Sequence, residues 1–276
     1  MTTSYFIYAG WGMPAVHGAG AGQMTEAGRG SADGPSHGRR ADQGRVEPVP
    51  RVSRRNFAAM AGGAGLLAAG LAGAGATDAL AASADEASRP IGPNAALRVL
   101  MAGNRRWVRG TARHPRQSPK WRRFLAGHQN PFATVVSCID SRVPPEIVSD
   151  CGLGEMFVIR TGAQTLDDQV VLGSIEFGPE FFASARLIFV LGHQRCGAVE
   201  KAIQVIESGG RAPGHIQAVV DALRPAYYAA KPQPGNMVRA QIRLTVQRLK
   251  ADPLLGNQLV VGGRYAMASG VVDIIA

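Results

Sequence analysis

A strand followed at once by a helix is the feature of this sequence that most limits its possible folds. The stretch ARLIFVLGHQRCGAVEKAIQVIESGG starts with a continuous apolar run, 187–191, that is typical of a fully buried strand. Gly192 predicts a turn, and residues 198–208 have the pattern of a helix that ends at Gly209 and Gly210. A buried strand that leads straight into a helix is the repeating unit of α/β folds.

The rest of the chain continues this alternation. Apolar runs predict two further strands in PFATVVSC, 131–138, and MFVIR, 156–160. Helical patterns occur at 94–109, 167–177, 215–223 and 236–250, and a short helix opens at Pro145 and runs toward Cys151. The last segment, QLVVGGRYAMASGVVDIIA, predicts two strands around a turn at Ser269 and Gly270. The sequence therefore predicts an α/β domain with a largely parallel central β-sheet flanked by helices.

Metal-binding side chains follow two of these predicted strands. Cys138 and Asp140 stand at the end of one, and His193 and Cys196 stand at the end of another. In open α/β sheets, ligands bind at the carboxyl ends of the strands. Two thiolates and an imidazole form a zinc-type ligand set that leaves a fourth position open. A lone Cys is usually a small core residue and a single His-x-x-Cys match is usually structural, so the prediction depends on the combination.

Two short motifs resemble a known family. Residues 138–142, CIDSR, and 193–197, HQRCG, are similar to the C-x-D-S-R and H-x-x-C-G pair of the β-class carbonic anhydrases. The segments VPPEIVSDCGLGEMFVIR, GSIEFG and LVVGGRYAMASGVVDII resemble the family's first helix and second strand, its central helix and its closing hairpin. The resemblance covers 94–276, and it implies a bacterial β-carbonic anhydrase fold.

This resemblance implies the activity and the roles of individual residues. It implies one Zn²⁺ per subunit, bound by Cys138, His193 and Cys196, and the reversible hydration of carbon dioxide to bicarbonate and a proton. Asp140 and Arg142 would form a catalytic dyad in which the arginine holds the aspartate. In some family members the aspartate instead takes the fourth zinc position, so Asp140 is also a conditional metal ligand. Family members form dimers or multiples of dimers, which implies a homodimer or a higher homo-oligomer here.

Other interpretations of the same residues stay open. The Asp140 and Arg142 pair could be an ordinary ion pair that caps the following helix. Relatives with the same ligands hydrolyse carbonyl sulfide or carbon disulfide, and a zinc-binding module without catalysis is a third possibility. Residues 160–164 read Arg-Thr-Gly-Ala-Gln where the family commonly has Ala-Gly-Asn, and that difference bears on how the substrate fits. For the proton carrier, His128 and His215 are candidates, although each has the pattern of an ordinary surface or capping residue.

The N-terminal third predicts an export signal rather than a folded unit. Residues 1–50 are rich in Gly, Ser and Ala without a hydrophobic period, which is typical of disorder. Residues 51–82 have a basic start with Arg54 and Arg55, an apolar stretch and a small-residue cleavage site, as in twin-arginine signals. The alternative is a retained anchor at 58–76. We expect cleavage, no stable membrane span afterwards, a catalytic domain at 83–276, and an extracellular or cell-envelope location.

Charge and cysteine content add two constraints. The net charge is +10 for the whole chain and +8 for residues 83–276, and nine basic residues lie between Arg98 and Arg123 without an acidic one. This segment could bind nucleic acid, which predicted export makes unlikely, or form solvated helices around Trp107 and Trp121 that hold a partner subunit. Three cysteines without regular spacing are not a disulfide framework, and Cys151 is interpreted as a buried or idle thiol.

Overall fold

The computed structural model of the protein describes residues 92–230 and 233–276. The predicted disordered segment, 1–50, the predicted export signal, 51–82, and the start of the predicted catalytic domain lie outside the described residues. Among the helices of the described part, none combines the length and the apolar character that crossing a membrane requires.

Helices and strands alternate along the described chain. The helices are α1 (Pro93–Val108), α2 (Pro119–Leu125), α3 (Pro145–Val148), α4 (Gln169–Phe181), α5 (Gly197–Ser208), α6 (Ile216–Ala230) and α7 (Pro234–Lys250). The strands are β1 (Ala133–Cys138), β2 (Met156–Thr161), β3 (Leu187–His193), β4 (Leu259–Tyr265) and β5 (Val272–Ile274), and a short 3₁₀ helix spans Gly162–Gln164.

The five strands form one sheet in the order β2-β1-β3-β4-β5. β1 pairs with both β2 and β3 in parallel, β4 continues the parallel set, and β5 pairs antiparallel with β4. Every residue of β1 and β3 is buried, as the continuous apolar runs predict for strands covered on both faces. The predicted α/β fold with a largely parallel central sheet and flanking helices is confirmed.

Each face of the sheet supports its own apolar core. Successive side chains of a strand point to opposite faces, so the residues of β1 divide between the two cores. Val136 and Cys138 belong to the core that α4, α5, α6 and α7 cover, together with Ile242. Val135 belongs to the other core, with Leu100 of α1. Cys138 therefore faces the four-helix side of the sheet.

Local signals account for where several elements begin and end. Asp168 caps α4 by accepting hydrogen bonds from the backbone N–H groups of Val170 and Val171. Gly209 ends α5 in the left-handed conformation, as the sequence predicts. The predicted helix toward Cys151 stops earlier, at Val148, because the chain reverses at Asp150, which has a φ of 42°.

The basic segment forms two helices, one around Trp107 and one around Trp121, in agreement with the solvated-helix interpretation. Arg106 donates to the buried carboxylate of Asp150 at 2.5 Å, and Arg116 pairs with Glu155, so two of the positive charges are neutralised internally. On α1, Arg98 and Arg105 are exposed, and so is Arg109 at the C-cap of the helix.

Candidate metal centre

The topology brings three predicted ligands together at the carboxyl ends of neighbouring strands. Cys138 is the last residue of β1, His193 is the last residue of β3, and Cys196 is the N-cap of α5. All three side chains are buried, and their ligand atoms lie within 4.8 Å of one another. Among the described residues, this is the group of His, Cys and carboxylate side chains whose geometry could hold a metal ion.

The spacing of the two sulfur atoms fits zinc. Two sulfurs about 2.3 Å from a tetrahedral zinc ion are separated by about 3.8 Å. The Sγ atoms of Cys138 and Cys196 are 3.8 Å apart. A disulfide would need a separation of about 2.05 Å, and both cysteines are free thiols.

The imidazole of His193 is oriented toward the same point. Its Nδ1 atom lies 2.9 Å from the backbone carbonyl oxygen of Gln194, which makes Nδ1 the protonated nitrogen. Its Nε2 atom is buried and has no hydrogen-bond partner. A buried nitrogen with a free lone pair beside two thiols provides three donors of the types that bind zinc and leaves a fourth position open.

Hydrogen bonding between the two thiols separates their acidities. The hydrogen bond from Cys196 lowers the pKa of Cys138 to about 4 against the opposing effect of burial. The same bond, together with burial, raises the pKa of Cys196. For His193, burial lowers the pKa and is the largest single effect, but the Cys138 sulfur, the carbonyl of Gln194 and the carboxylate of Asp140 together outweigh it, so the net pKa is raised. The cluster therefore already stabilises one thiolate, the form of cysteine that binds metals.

Asp140 lies beside the cluster and is held by Arg142 on two sides. The Arg142 Nε and Nη2 atoms donate to the two carboxylate oxygens of Asp140 at 2.8 and 2.7 Å, and the Arg142 backbone N–H donates at 3.0 Å. One oxygen of Asp140 lies 3.9 Å from Nε2 of His193. The Arg142 hydrogen bond lowers the pKa of Asp140 to about 2, so the carboxylate is ionised at neutral pH.

The helix-capping interpretation of this pair does not fit the structure. The N-cap of α3 is Pro144, and no side chain caps that helix. Arg142 also donates to the backbone carbonyl of Arg195 at 3.0 Å, and Arg195 lies inside the His193 motif. Asp140 and Arg142 thus connect the two halves of the candidate site.

Two further residues that contact the site were not predicted. Arg160 donates from Nε to the carbonyl oxygen of Cys138 at 2.8 Å and from Nη2 to that of Asp140 at 2.6 Å. The backbone N–H of Ala163 donates to the sulfur of Cys138 at 3.4 Å, and Ala163 has a φ of 53°. The unusual order of residues 160–164 marks this loop in the sequence, but its contacts depend on the path of the backbone.

An open cavity of about 550 Å³ leads to the site. Its lining includes Cys138, Asp140 and Arg142, with Gly197 and Ala198 from the start of α5. The cavity is open to solvent, and the side chain of Arg142 in its lining is 51% exposed. A small molecule can therefore reach Asp140, which also lines the cavity.

The remaining candidate residues lie elsewhere. His128 is exposed, stacks on Phe124 and does not line the cavity, and His215 is also exposed. Cys151 is buried and donates its S–H to the carbonyl of Ser149 at 3.3 Å. Burial raises the pKa of Cys151 far above that of an ordinary thiol, in agreement with a buried, idle thiol.

Comparison with known sequences agrees with the site. The sequence model of the family described as Carbonic anhydrase matches residues 133–274. Carbonic anhydrase 2 of Mycobacterium tuberculosis is 37% identical over 179 residues, which cover 63% of this chain and 86% of that protein. Carbonic anhydrase of Mycolicibacterium smegmatis is 35% identical over 193 residues, which cover 66% of this chain and 93% of that protein.

Solved structures share the fold. A tetrameric β-carbonic anhydrase of Sordaria macrospora matches with a TM-score of 0.51 and 22% identity, over 63% of this chain and 94% of that one. A Coccomyxa β-carbonic anhydrase in complex with acetazolamide matches with a TM-score of 0.50 and 22% identity, over 64% of this chain and 84% of that one. The solved structures show that the chain has the fold of the β-carbonic anhydrases, and the family match over residues 133–274 shows that it belongs to the carbonic anhydrase family.

Proposed function

We propose that this protein catalyses the zinc-dependent, reversible hydration of carbon dioxide to bicarbonate and a proton. The observation that carries the proposal is the convergence of Cys138, His193 and Cys196, with Asp140 beside them, in a chain of the carbonic anhydrase family. In this proposal the three clustered side chains hold one Zn²⁺ per chain. When bound, zinc makes hydroxide available from water near neutral pH.

The chain's own groups then orient the reactants. Asp140 is ionised, so its carboxylate accepts a hydrogen bond from the attacking oxygen and fixes the direction of its lone pair. Arg142 keeps that carboxylate ionised and prevents it from rotating, because it binds both carboxylate oxygens. The bond from Arg142 to the carbonyl of Arg195 anchors the guanidinium to the second half of the site.

Assembly and location are part of the same proposal. The Sordaria macrospora relative is described as tetrameric, which supports a homo-oligomer, and we propose a dimer or a multiple of dimers. We also propose twin-arginine export, which suits a protein that binds zinc and folds before it crosses a membrane. Arg54 and Arg55 support this route, and replacing both with Lys should abolish export in a bacterial host.

Stopped-flow hydration of carbon dioxide, with bound zinc measured in the same sample, tests the activity. We expect turnover that disappears when a chelator removes zinc and returns when zinc is restored. Cys196→Ala should lose both zinc and turnover, because it removes a ligand. Cys151→Ala is the matched control and should keep both, because Cys151 is buried outside the cluster. Stoichiometric zinc without turnover in the wild-type protein would contradict the proposal.

A further inference from the structure

Arg160, near the end of β2, contacts the backbone of two functional residues at once. Its Nε atom donates to the carbonyl oxygen of Cys138 at 2.8 Å, and its Nη2 atom donates to the carbonyl oxygen of Asp140 at 2.6 Å. A guanidinium is planar and rigid, so two hydrogen bonds from one such group fix the distance and the angle between their acceptors. Arg160 thus restrains the backbone of Cys138 relative to that of Asp140.

These bonds lie at the point where the backbone pairing of β1 with its neighbouring strands ends. The pairing of β1 with β3 ends at Ser137, and its pairing with β2 ends at Cys138. One more backbone bond follows, from Ile139 N–H to the carbonyl of Thr161 at 3.0 Å. Beyond that point the path of the chain depends on other contacts, among them the bond from Arg160 to the carbonyl of Asp140, which also accepts from the backbone N–H of Val143 at 3.1 Å.

The direction of the side chains at 138–140 depends on this path. Cys138 is 3% exposed and Ile139 is 63% exposed, so the side chains alternate between the two sides of an extended segment. Asp140, on the same side as Cys138, therefore reaches the cluster, with one carboxylate oxygen 3.9 Å from Nε2 of His193. A rotation of the backbone between Cys138 and Asp140 would move this carboxylate without displacing the sulfur.

We infer that Arg160 is a positioning residue, which fixes the carboxylate of Asp140 relative to the metal-binding cluster by clamping the carbonyls of Cys138 and Asp140. This inference rests on the proposed function, because it assigns Arg160 to the reaction proposed for that cluster. The role differs from that of Arg142, which binds the carboxylate of Asp140 and not its backbone.

Substitution of Arg160 with chemical rescue tests this role. Arg160→Ala should lower kcat about 100-fold, because a displacement of about 1 Å at a reacting group has an effect of that size. Its zinc content should remain one per chain, and the cobalt(II)-substituted variant should keep the absorption band of cysteine-bound cobalt. Free guanidinium ion should restore part of the lost kcat in this variant and leave the wild-type enzyme unchanged.

Two other variants test whether the effect of Arg160 comes from its two hydrogen bonds rather than from its charge or from a general loss of stability. Arg160→Lys keeps the positive charge but lacks the planar fork, so its kcat should also fall by at least about tenfold. Arg186→Ala is the matched control, because Arg186 donates to the carbonyl of Ala183 at 3.2 Å near the amino end of β3. It should leave kcat and zinc content unchanged.

The inference is overturned if Arg160→Lys keeps wild-type kcat. It is also overturned if Arg160→Ala keeps wild-type kcat, if it loses metal together with activity, or if guanidinium restores nothing. The wild-type turnover, measured in the same series, tests the proposed function separately. Absent wild-type turnover would reject that function, whereas a wild-type rate with insensitive Arg160 variants would reject the clamp alone.

Discussion

At the residue scale, hydrogen bonds to one part of a side chain orient the reactive atom of the same side chain. Nδ1 of His193 binds the carbonyl of Gln194, which leaves Nε2 free to face the two sulfurs. Both carboxylate oxygens of Asp140 are bound by Arg142, which determines where that carboxylate points. Each reactive atom is therefore oriented before any ligand arrives, and this lowers the entropic cost of the reaction.

Removing the charge of Asp140 should separate catalysis from metal binding. Asp140→Asn keeps the shape of the side chain but loses the ionised acceptor, so we expect turnover to fall by at least about 100-fold with zinc content unchanged. Asp167→Asn is a suitable control, because Asp167 forms an exposed pair with Arg248 outside the cavity. Stopped-flow hydration with zinc analysis of both variants makes the comparison. Near-normal turnover in Asp140→Asn would rule out the assigned role of the dyad.

The sequence predicts the reactive residues better than the residues that support them. Cys138, Asp140 and His193 stand in short motifs after apolar runs, so both their chemistry and their place at strand ends can be predicted. Arg160 and Ala163 act on the backbone carbonyls and the sulfur of the site. Such contacts depend on the three-dimensional course of the chain, and an arginine or an alanine alone carries no signal for them.

At the element scale, the parallel pairing of β1 with β3 brings the two motifs together. The two strands run side by side, so Cys138 and His193 meet although 55 positions separate their numbers in the chain. Strong patterns predicted the strands and the longer helices. The one-turn α3 and the 3₁₀ helix at Gly162–Gln164 were not predicted with these bounds, because such short elements follow local backbone turns rather than a hydrophobic period.

The 3₁₀ helix contacts the sulfur of Cys138 through Ala163, whose backbone has a strained conformation. Ala163 has φ and ψ values of 53° and 36°, a left-handed conformation that costs an L-residue about 1 kcal/mol. The neighbouring position, Gly162, has no room for a side chain, because a Cβ atom there would lie 2.8 Å from Cγ1 of Val219. Ala163→Gly should therefore raise the free energy of unfolding by up to about 1 kcal/mol.

Urea unfolding of the zinc-loaded protein measures this effect. Ala222→Gly, inside helix α6, is the control and should destabilise the protein by about 1 kcal/mol, as glycine does in a helix. An equal loss of stability in both variants would show that the conformation of Ala163 carries no strain.

At the scale of the whole molecule, buried polar side chains attach the N-terminal helices to the sheet. Asn104 of α1 donates to the carbonyls of Val148 and Gly270 and accepts from the backbone N–H of Val272. Asp150, whose side chain is 1% exposed, accepts from the side chain of Arg106 and the backbone N–H groups of Arg113 and His114. These contacts join α1 and the segment after it to the end of α3 and to the closing hairpin.

The hydrogen bonds to Asp150 should make the free energy of unfolding decrease at acid pH. Burial raises the pKa of Asp150, but the hydrogen bonds from Arg113, Arg106 and His114 outweigh it, so the folded-state pKa lies below 3.8. A depressed carboxyl pKa stabilises the fold above the unfolded-state value and loses that effect as pH falls through the folded-state value. Asp150→Asn should thus destabilise the protein by about 2 kcal/mol at neutral pH.

Urea unfolding between pH 7 and pH 3 tests this pH dependence. The difference in unfolding free energy between wild type and Asp150→Asn should be constant down to about pH 4 and should narrow below it, because the Asp150 carboxylate of the unfolded wild-type chain then takes up a proton that the folded protein still excludes. Asp167→Asn is the control, because Asp167 forms an exposed pair with Arg248. A gap that stays constant to pH 3 would contradict the assigned role of Asp150.

The whole-molecule prediction from sequence succeeded for the sheet because its signals are periodic and repeated. The α/β architecture and the closing hairpin follow from apolar runs and turn residues that recur over many positions. The segment boundaries at 50 and 82, the export route and the oligomer number stay predictions. The signals for export and disorder come from composition, which carries no information on how a segment packs.

The central claim is that Cys138, His193 and Cys196 hold one zinc ion in this protein. X-ray absorption at the zinc edge tests it most directly, because the spectrum reports the elements around the metal and their distances. We predict two sulfur atoms at about 2.3 Å and lighter atoms at about 2.0 to 2.1 Å, with imidazole scattering from one histidine. A shell of oxygen atoms alone, or a shell with four sulfurs, would contradict the assignment.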